Sequence, residues 1–270
     1  MERAVTVRAL VWFVRGRQIG KAEETHFGKV KAQRTRRHTV HKHFYGNARA
    51  KFPKKLIPEG KRSGFDTVVS VTVFEVTMGS SEMLKNGVAA AKETLQSLLD
   101  LDSQVAKAAD LIEQCLRAGN KLLVCGNGGS AADASHFATE FVVRFMKDRP
   151  AYPAICLASD AGLLTAAGND YGFDEIFARQ VAAFGLPDDV LICLTTSGKS
   201  KNVERALQEA KARKLKTIAF LGRDGGSTIG MADVDLLVRS DTTARIQEAH
   251  QLLLHVLCEI SETRLSGNNL

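Results

Sequence analysis

Val124-Cys125-Gly126-Asn127-Gly128-Gly129-Ser130-Ala131-Ala132-Asp133-Ala134-Ser135-His136-Phe137-Ala138-Thr139-Glu140-Phe141 decides how the rest of the chain is read. Leu122 to Cys125 is a short apolar run of strand type, and three glycines in the next four residues let the backbone turn sharply and approach a ligand closely. The helical pattern that follows starts with free amides aimed back at this turn, which suits an oxyanion or a sugar hydroxyl, and Asn127 and Ser130 add side-chain groups there. His136 and Glu140 are one turn apart on that helix, so both leave the same face. They can share one divalent metal or one substrate proton, or form a plain exposed pair.

Outward from this stretch, strands and helices alternate. Leu122–Cys125, Ala154–Leu157, Val190–Leu194, Thr217–Leu221 and Val234–Val238 read as five buried strands, with helical stretches near 129–145, 160–167, 174–183 and 200–213. Such alternation predicts an α/β fold, a five-stranded parallel sheet with helices on both faces, whose ligands bind beyond the carboxyl ends of the strands. Two amphipathic helices precede it. Ser81–Leu99 has an apolar face of Leu84, Val88, Leu95, Leu98 and Leu99, and Ser103–Ala118 is closed by Gly119-Asn120.

The loops after the strands carry the remaining chemistry. Thr195-Thr196-Ser197-Gly198-Lys199-Ser200 places four hydroxyls and a glycine before a helix, which reads as a metal-free phosphate cradle and not as a mere N-cap at Ser200. Spacing to an earlier glycine rules out a nucleotide P-loop. Asn169 and Asp170, between Gly168 and Gly172, suit either sugar hydroxyls or an ordinary turn, and Gly222-Arg223-Asp224-Gly225-Gly226 reads as a plain loop. The last helix, from about Ala244, buries Ile246, Leu253, Leu254, Leu257 and Ile260, and so its polar residues need another explanation. Gln247 and His255 are eight residues apart, a rise of about 12 Å. Sharing a cation therefore needs inward-leaning side chains, a helix that starts after Gln247, or a neighbouring subunit. Periodicity leaves His250 and His255 equally open.

Composition narrows the class. The 270 residues are 44% hydrophobic, enough for a sizeable core, and no apolar run nears the roughly 20 residues of a membrane span. Ala9–Val14 is too short for a secretory signal, so a cytoplasmic protein is expected. Cys115, Cys125, Cys156, Cys193 and Cys258 are scattered, as buried thiols in a reducing compartment would be. The net charge of +7 is uneven: residues 1–77 hold 17 Lys+Arg against 6 Asp+Glu, leaving 20 against 24 for the remainder. Residues 1–77 form a basic extension in which only Thr67–Val76 reads as a strand. They are a disordered tail, a partner-binding arm that could touch nucleic acid, or sequence upstream of the native start, the reading favoured by Met78-Gly79-Ser80-Ser81-Glu82, which looks like an ordinary N-terminus. His38, His41 and His43 belong to this basic segment. Residues 78–270 form the enzyme-like domain.

Taken together, Gly126–Ser130, His136-Phe137 with Glu140-Phe141, Asn169–Phe173, Thr195–Ser200 and Arg245-Ile246-Gln247-Glu248 with His255 resemble the sugar isomerase (SIS) domain family, and within it the phosphoheptose isomerases, over about residues 80–265. The resemblance implies an SIS-type three-layer sandwich and a zinc-dependent ketose-aldose isomerase acting on sedoheptulose 7-phosphate, the first step toward ADP-heptose for the lipopolysaccharide core. It implies zinc ligands at His136, Glu140, Gln247 and His255, with Glu140 and His255 as the proton-transfer pair. Sugar-phosphate contacts are implied at Asn127, Gly128, Gly129, Ser130, Glu140, Asn169, Asp170, Thr195, Thr196, Ser197, Ser200 and Gln247. A cytoplasmic homotetramer with sites at subunit contacts is also implied. Thr195 stands where the family often has serine and Lys199 where asparagine is common. The rival reading is a non-catalytic relative that binds a sugar phosphate or the replication initiator.

Overall fold

The computed structural model describes residues 79–266. Expectations that fall on residues 1–77, including the strand at Thr67–Val76, lie outside the described residues.

Two helices lead in, α1 (Ser80–Gln96) and α2 (Asp102–Arg117), joined by a short 3-10 turn. There follow β1 (Leu122–Gly126), α3 (Gly129–Val142), β2 (Ala154–Cys156), α4 (Ala161–Tyr171), α5 (Ala178–Phe184), β3 (Val190–Thr195), α6 (Lys201–Ala212), β4 (Lys216–Gly222), β5 (Val234–Val238) and α7 (Thr243–Ser266). All neighbouring strands pair in parallel, in the order β2-β1-β3-β4-β5. Side-chain alternation sends Leu122, Val124, Ile192 and Phe220 into one apolar layer with α2, α3 and α7, and Leu123, Cys125, Leu191 and Cys193 into another with α5 and α6. Each such fully buried Leu or Ile stabilises the fold by about 1.5–3 kcal/mol. All five cysteines are free thiols, and those of Cys125 and Cys193 meet at 3.4 Å across β1 and β3.

In this strand order the chain leaves β1 toward β2 on one side and leaves β3 toward β4 on the other. The loops after β1 and β3 therefore splay apart and open a crevice at the carboxyl edge of the sheet.

Two expectations change. The apolar face expected to pack the first helix does so only toward its end: Leu98 is buried and Leu95 packs on the core, whereas Leu84, Val88 and Leu99 are 69%, 60% and 71% exposed, and only Thr94 of α1 is buried. The described residues of one chain leave Leu84, Val88 and Leu99 largely open to solvent. The helix expected to stop near 167 runs on to Tyr171, because Gly168 is tolerated inside it. The chain turns only at Gly172, whose φ of 89° suits glycine. Asn169 and Asp170 are thus helical and not in a loop.

Candidate active site

The β1 turn is shaped by contacts that forbid side chains. A Cβ on Gly126 would strike the Ser130 backbone, and Gly128, at φ 57°, starts α3. Asn127 reaches across the crevice, where its amide and that of Asn202 exchange two hydrogen bonds of 2.9 Å. Asn202, buried in the first turn of α6, ties the β1 turn to the loop after β3. The sequence reading missed it, although an amide just after the hydroxyl run was its signal.

In that loop the hydroxyls turn toward one another. Thr195 Oγ1 lies 3.1 Å from Ser200 Oγ and 3.5 Å from Ser197 Oγ, and it accepts from the Gly198 amide at 3.2 Å. Ser200 sits at the N-cap of α6 without a side-chain cap bond, so its hydroxyl belongs to the cluster. The loop after β4, expected to be plain, braces this one. Thr228 donates to the Gly198 carbonyl from its hydroxyl at 2.9 Å and from its amide at 3.0 Å, and a Cβ on Gly198 would overlap the Gly225 backbone.

A second cluster forms where α3 meets α7. His136 Nε2 donates to Glu140 Oε1 at 2.8 Å. The rings of His136 and His255 meet edge to face, centroids 5.2 Å apart, and Phe145 stacks on His255 at 5.7 Å. Gln251 sits between the imidazoles, its Nε2 donating to His136 Nδ1 at 2.7 Å and to His255 Nε2 at 2.9 Å. The sequence reading missed Gln251 as well, although 247, 251 and 255 fall on one helical stripe. Asp133 precedes this cluster on α3. Burial pushes its carboxyl up, against the opposing pull of His136.

Other expected residues lie elsewhere. The Gln247 amide packs against Gly129, where a Cβ would overlap it. Since α7 is helical from Thr243, the possibility of a helix starting after Gln247 is removed. Asn169 donates to Asp170 at 2.8 Å, both exposed on the last turn of α4. His250 points into the core, where its Nε2 donates to the Leu221 carbonyl at 3.1 Å. His255, and not His250, is the histidine that meets His136.

Two imidazoles and a carboxylate are a donor set that suits zinc. Among the described residues, however, no three His, Cys, Asp or Glu side chains stand in the arrangement of a metal site, and the ring nitrogens are engaged by Gln251 and Glu140.

The sequence profile described as SIS domain matches residues 88–222. The phosphoheptose isomerase of Trichlorobacter lovleyi is 48% identical over 168 residues, 62% of this chain and 86% of that protein. That of Geobacter sulfurreducens is 49% identical over 177 residues, 65% of this chain and 94% of its own length.

The chain belongs to the phosphoheptose isomerase family of SIS domain proteins.

Among solved structures, the phosphoheptose isomerase from Francisella tularensis superposes on this SIS domain with a TM-score of 0.67 at 40% identity, covering 69% of this chain and all of its own. The Neisseria gonorrhoeae phosphoheptose isomerase does so with 0.64 at 43%, covering 68% and 98%. The switch-point crevice and the α3–α7 cluster thus belong to an SIS domain.

Proposed function

We propose that the chain interconverts sedoheptulose 7-phosphate and D-glycero-D-manno-heptose 7-phosphate through an enediol. The observation that carries this reading is the meeting of His136, Glu140 and His255 in a domain that also bears a hydroxyl-lined loop after β3. The Glu140 carboxylate takes a proton from the terminal carbon beside the ketone and delivers one to the former carbonyl carbon. His255 moves the hydroxyl proton between the two oxygens. Thr195, Thr196, Ser197 and Ser200 hold the phosphate, with Asn127, Gly128, Gly129 and Ser130 lining the other lip of the crevice. Binding energy is thereby spent far from the reacting carbons.

Zinc is part of the proposal. His136, Glu140, Gln247 and His255 would hold it, and when bound it supplies Lewis-acid polarisation of the sugar oxygens. Gln251 must release the ring nitrogens first. The long reach from Gln247 favours a site completed by a neighbouring subunit, and a homotetramer is supported by the exposed apolar stripe of α1 and by the exposed Asn169 and Asp170. No described helix is long and apolar enough to cross a membrane. A cytoplasmic setting agrees with five free thiols.

The test is turnover of sedoheptulose 7-phosphate by the full chain, with and without a chelator. Conversion that is lost on chelation and restored by zinc is expected, and its absence would remove the reading.

A further inference from the structure

Helix α3 ends at Val142, and its last carbonyls need donors from outside the helix. Arg149 supplies them. Its Nη2 donates to the Glu140 carbonyl at 2.5 Å, and its Nη1 to the carbonyls of Phe141 at 2.9 Å and Pro150 at 3.0 Å. A cation also suits the negative end of a helix. This guanidinium is only 4% exposed and requires a counter-charge, which comes from Glu262 on α7, 3% exposed, at 3.3 Å from Arg149 Nε.

The Glu262 carboxylate also collects three consecutive backbone amides. Oε1 accepts from Phe145 at 3.2 Å, and Oε2 from Met146 at 3.0 Å and Lys147 at 2.8 Å. Burial pushes this carboxyl up, but the three amides and Arg149 outweigh it and hold the group below its ordinary value. Every site on the carboxylate is engaged, so residues 145–149 are fastened to α7. Phe145, whose amide is held in this way, stacks its ring on His255 at 29° between planes.

A buried ion pair is weak evidence of stabilisation, since apolar packing of the same volume does as well. What sets this one apart is where its bonds lead: one arm reaches the peptide of Glu140, and the other carries the ring that backs His255. We infer that Glu262 and Arg149 are positioning residues for the isomerisation, a clasp that fixes the Glu140 carboxylate and the His255 imidazole relative to each other. This rests on the assignment of those two residues as the proton-transfer pair.

Full-length Glu262→Gln and Phe145→Leu variants test it, by steady-state kinetics with sedoheptulose 7-phosphate beside thermal unfolding. Misplacing reacting groups by about 1 Å costs on the order of 100-fold. We therefore expect kcat to drop by about 10- to 100-fold, with KM within about twofold of the parent. The phosphate-binding hydroxyls lie outside the clasp, and a merely structural role would leave kcat of the folded protein unchanged. Phe145→Leu keeps the ion pair and the backbone bonds and removes only the ring that stacks on His255, so it tests that arm of the clasp if Glu262→Gln does not fold. Folded variants with parental kcat, or with raised KM at parental kcat, would overturn the clasp while the parent stays active and Glu140→Gln stays dead. An inactive parent, or an active Glu140→Gln, would instead overturn the reading beneath it.

Discussion

The imidazole rings of His136 on α3 and His255 on α7 meet edge to face with their centroids 5.2 Å apart. Two helices far apart in the chain thereby bring their imidazoles to one point, beside the carboxylate of Glu140.

Glu140 is the residue whose loss should separate chemistry from folding. Its side chain is 19% exposed, and the carbonyl held by Arg149 belongs to its backbone, so Glu140→Gln leaves the helix and the clasp in place. Turnover should fall by at least about 100-fold, the size of a lost general base. Circular dichroism and substrate binding should be retained.

Gln251 occupies the nitrogens that the proposed zinc would need. Its two hydrogen bonds to the imidazoles are worth about 0.5–1.5 kcal/mol each. Gln251→Ala should accordingly tighten zinc binding roughly tenfold in a chelator competition. Unchanged or weaker binding would make Gln251 a bystander or a ligand.

Gly198→Ala should damage the loop after β3 that is proposed to hold the phosphate. The residue has φ 60°, and its added methyl would meet the Gly225 backbone. The strain costs about 1–3 kcal/mol. A lower melting temperature and a higher KM for the sugar phosphate are expected, whereas a parental KM would detach this loop from phosphate binding.

Acid stability should carry the mark of His250. Burial lowers its pKa from 6.5 to about 4, against the opposing effect of the Leu221 carbonyl. Between those values the unfolded chain binds a proton that the folded chain refuses, so stability falls as pH drops from 6.5 toward 4, by about 3 kcal/mol in all. His250→Gln, which keeps a donor for Leu221, should flatten that slope in urea titrations. The Glu262 carboxyl, held low when folded, adds its own loss only below its unfolded value of about 4.5.

Much of this molecule was legible in its residues. Strands such as Val190–Thr195 are continuous apolar runs with few alternative readings, and each of the five expected strands lies within one residue of the observed one. The glycines at 126 and 128 marked the turn because nothing larger fits there or takes that backbone. What stayed hidden depends on contacts between distant segments. Asn202 and Gln251 act through partners 75 and 115 residues away. The choice between His250 and His255 turned on the rotation of α7, which places one ring against Phe220 and the other against His136. For α1 an apolar stripe was visible, but whether one chain could cover it was not.

Proton NMR of sedoheptulose 7-phosphate incubated with the zinc-loaded protein in deuterated water tests the central claim most directly. An enediol route predicts heptose 7-phosphate carrying solvent deuterium on the carbon next to the aldehyde, with neither product nor exchange from Glu140→Gln. Unchanged ketose in the presence of the parent protein, or deuterium uptake by the Glu140 variant, would contradict it.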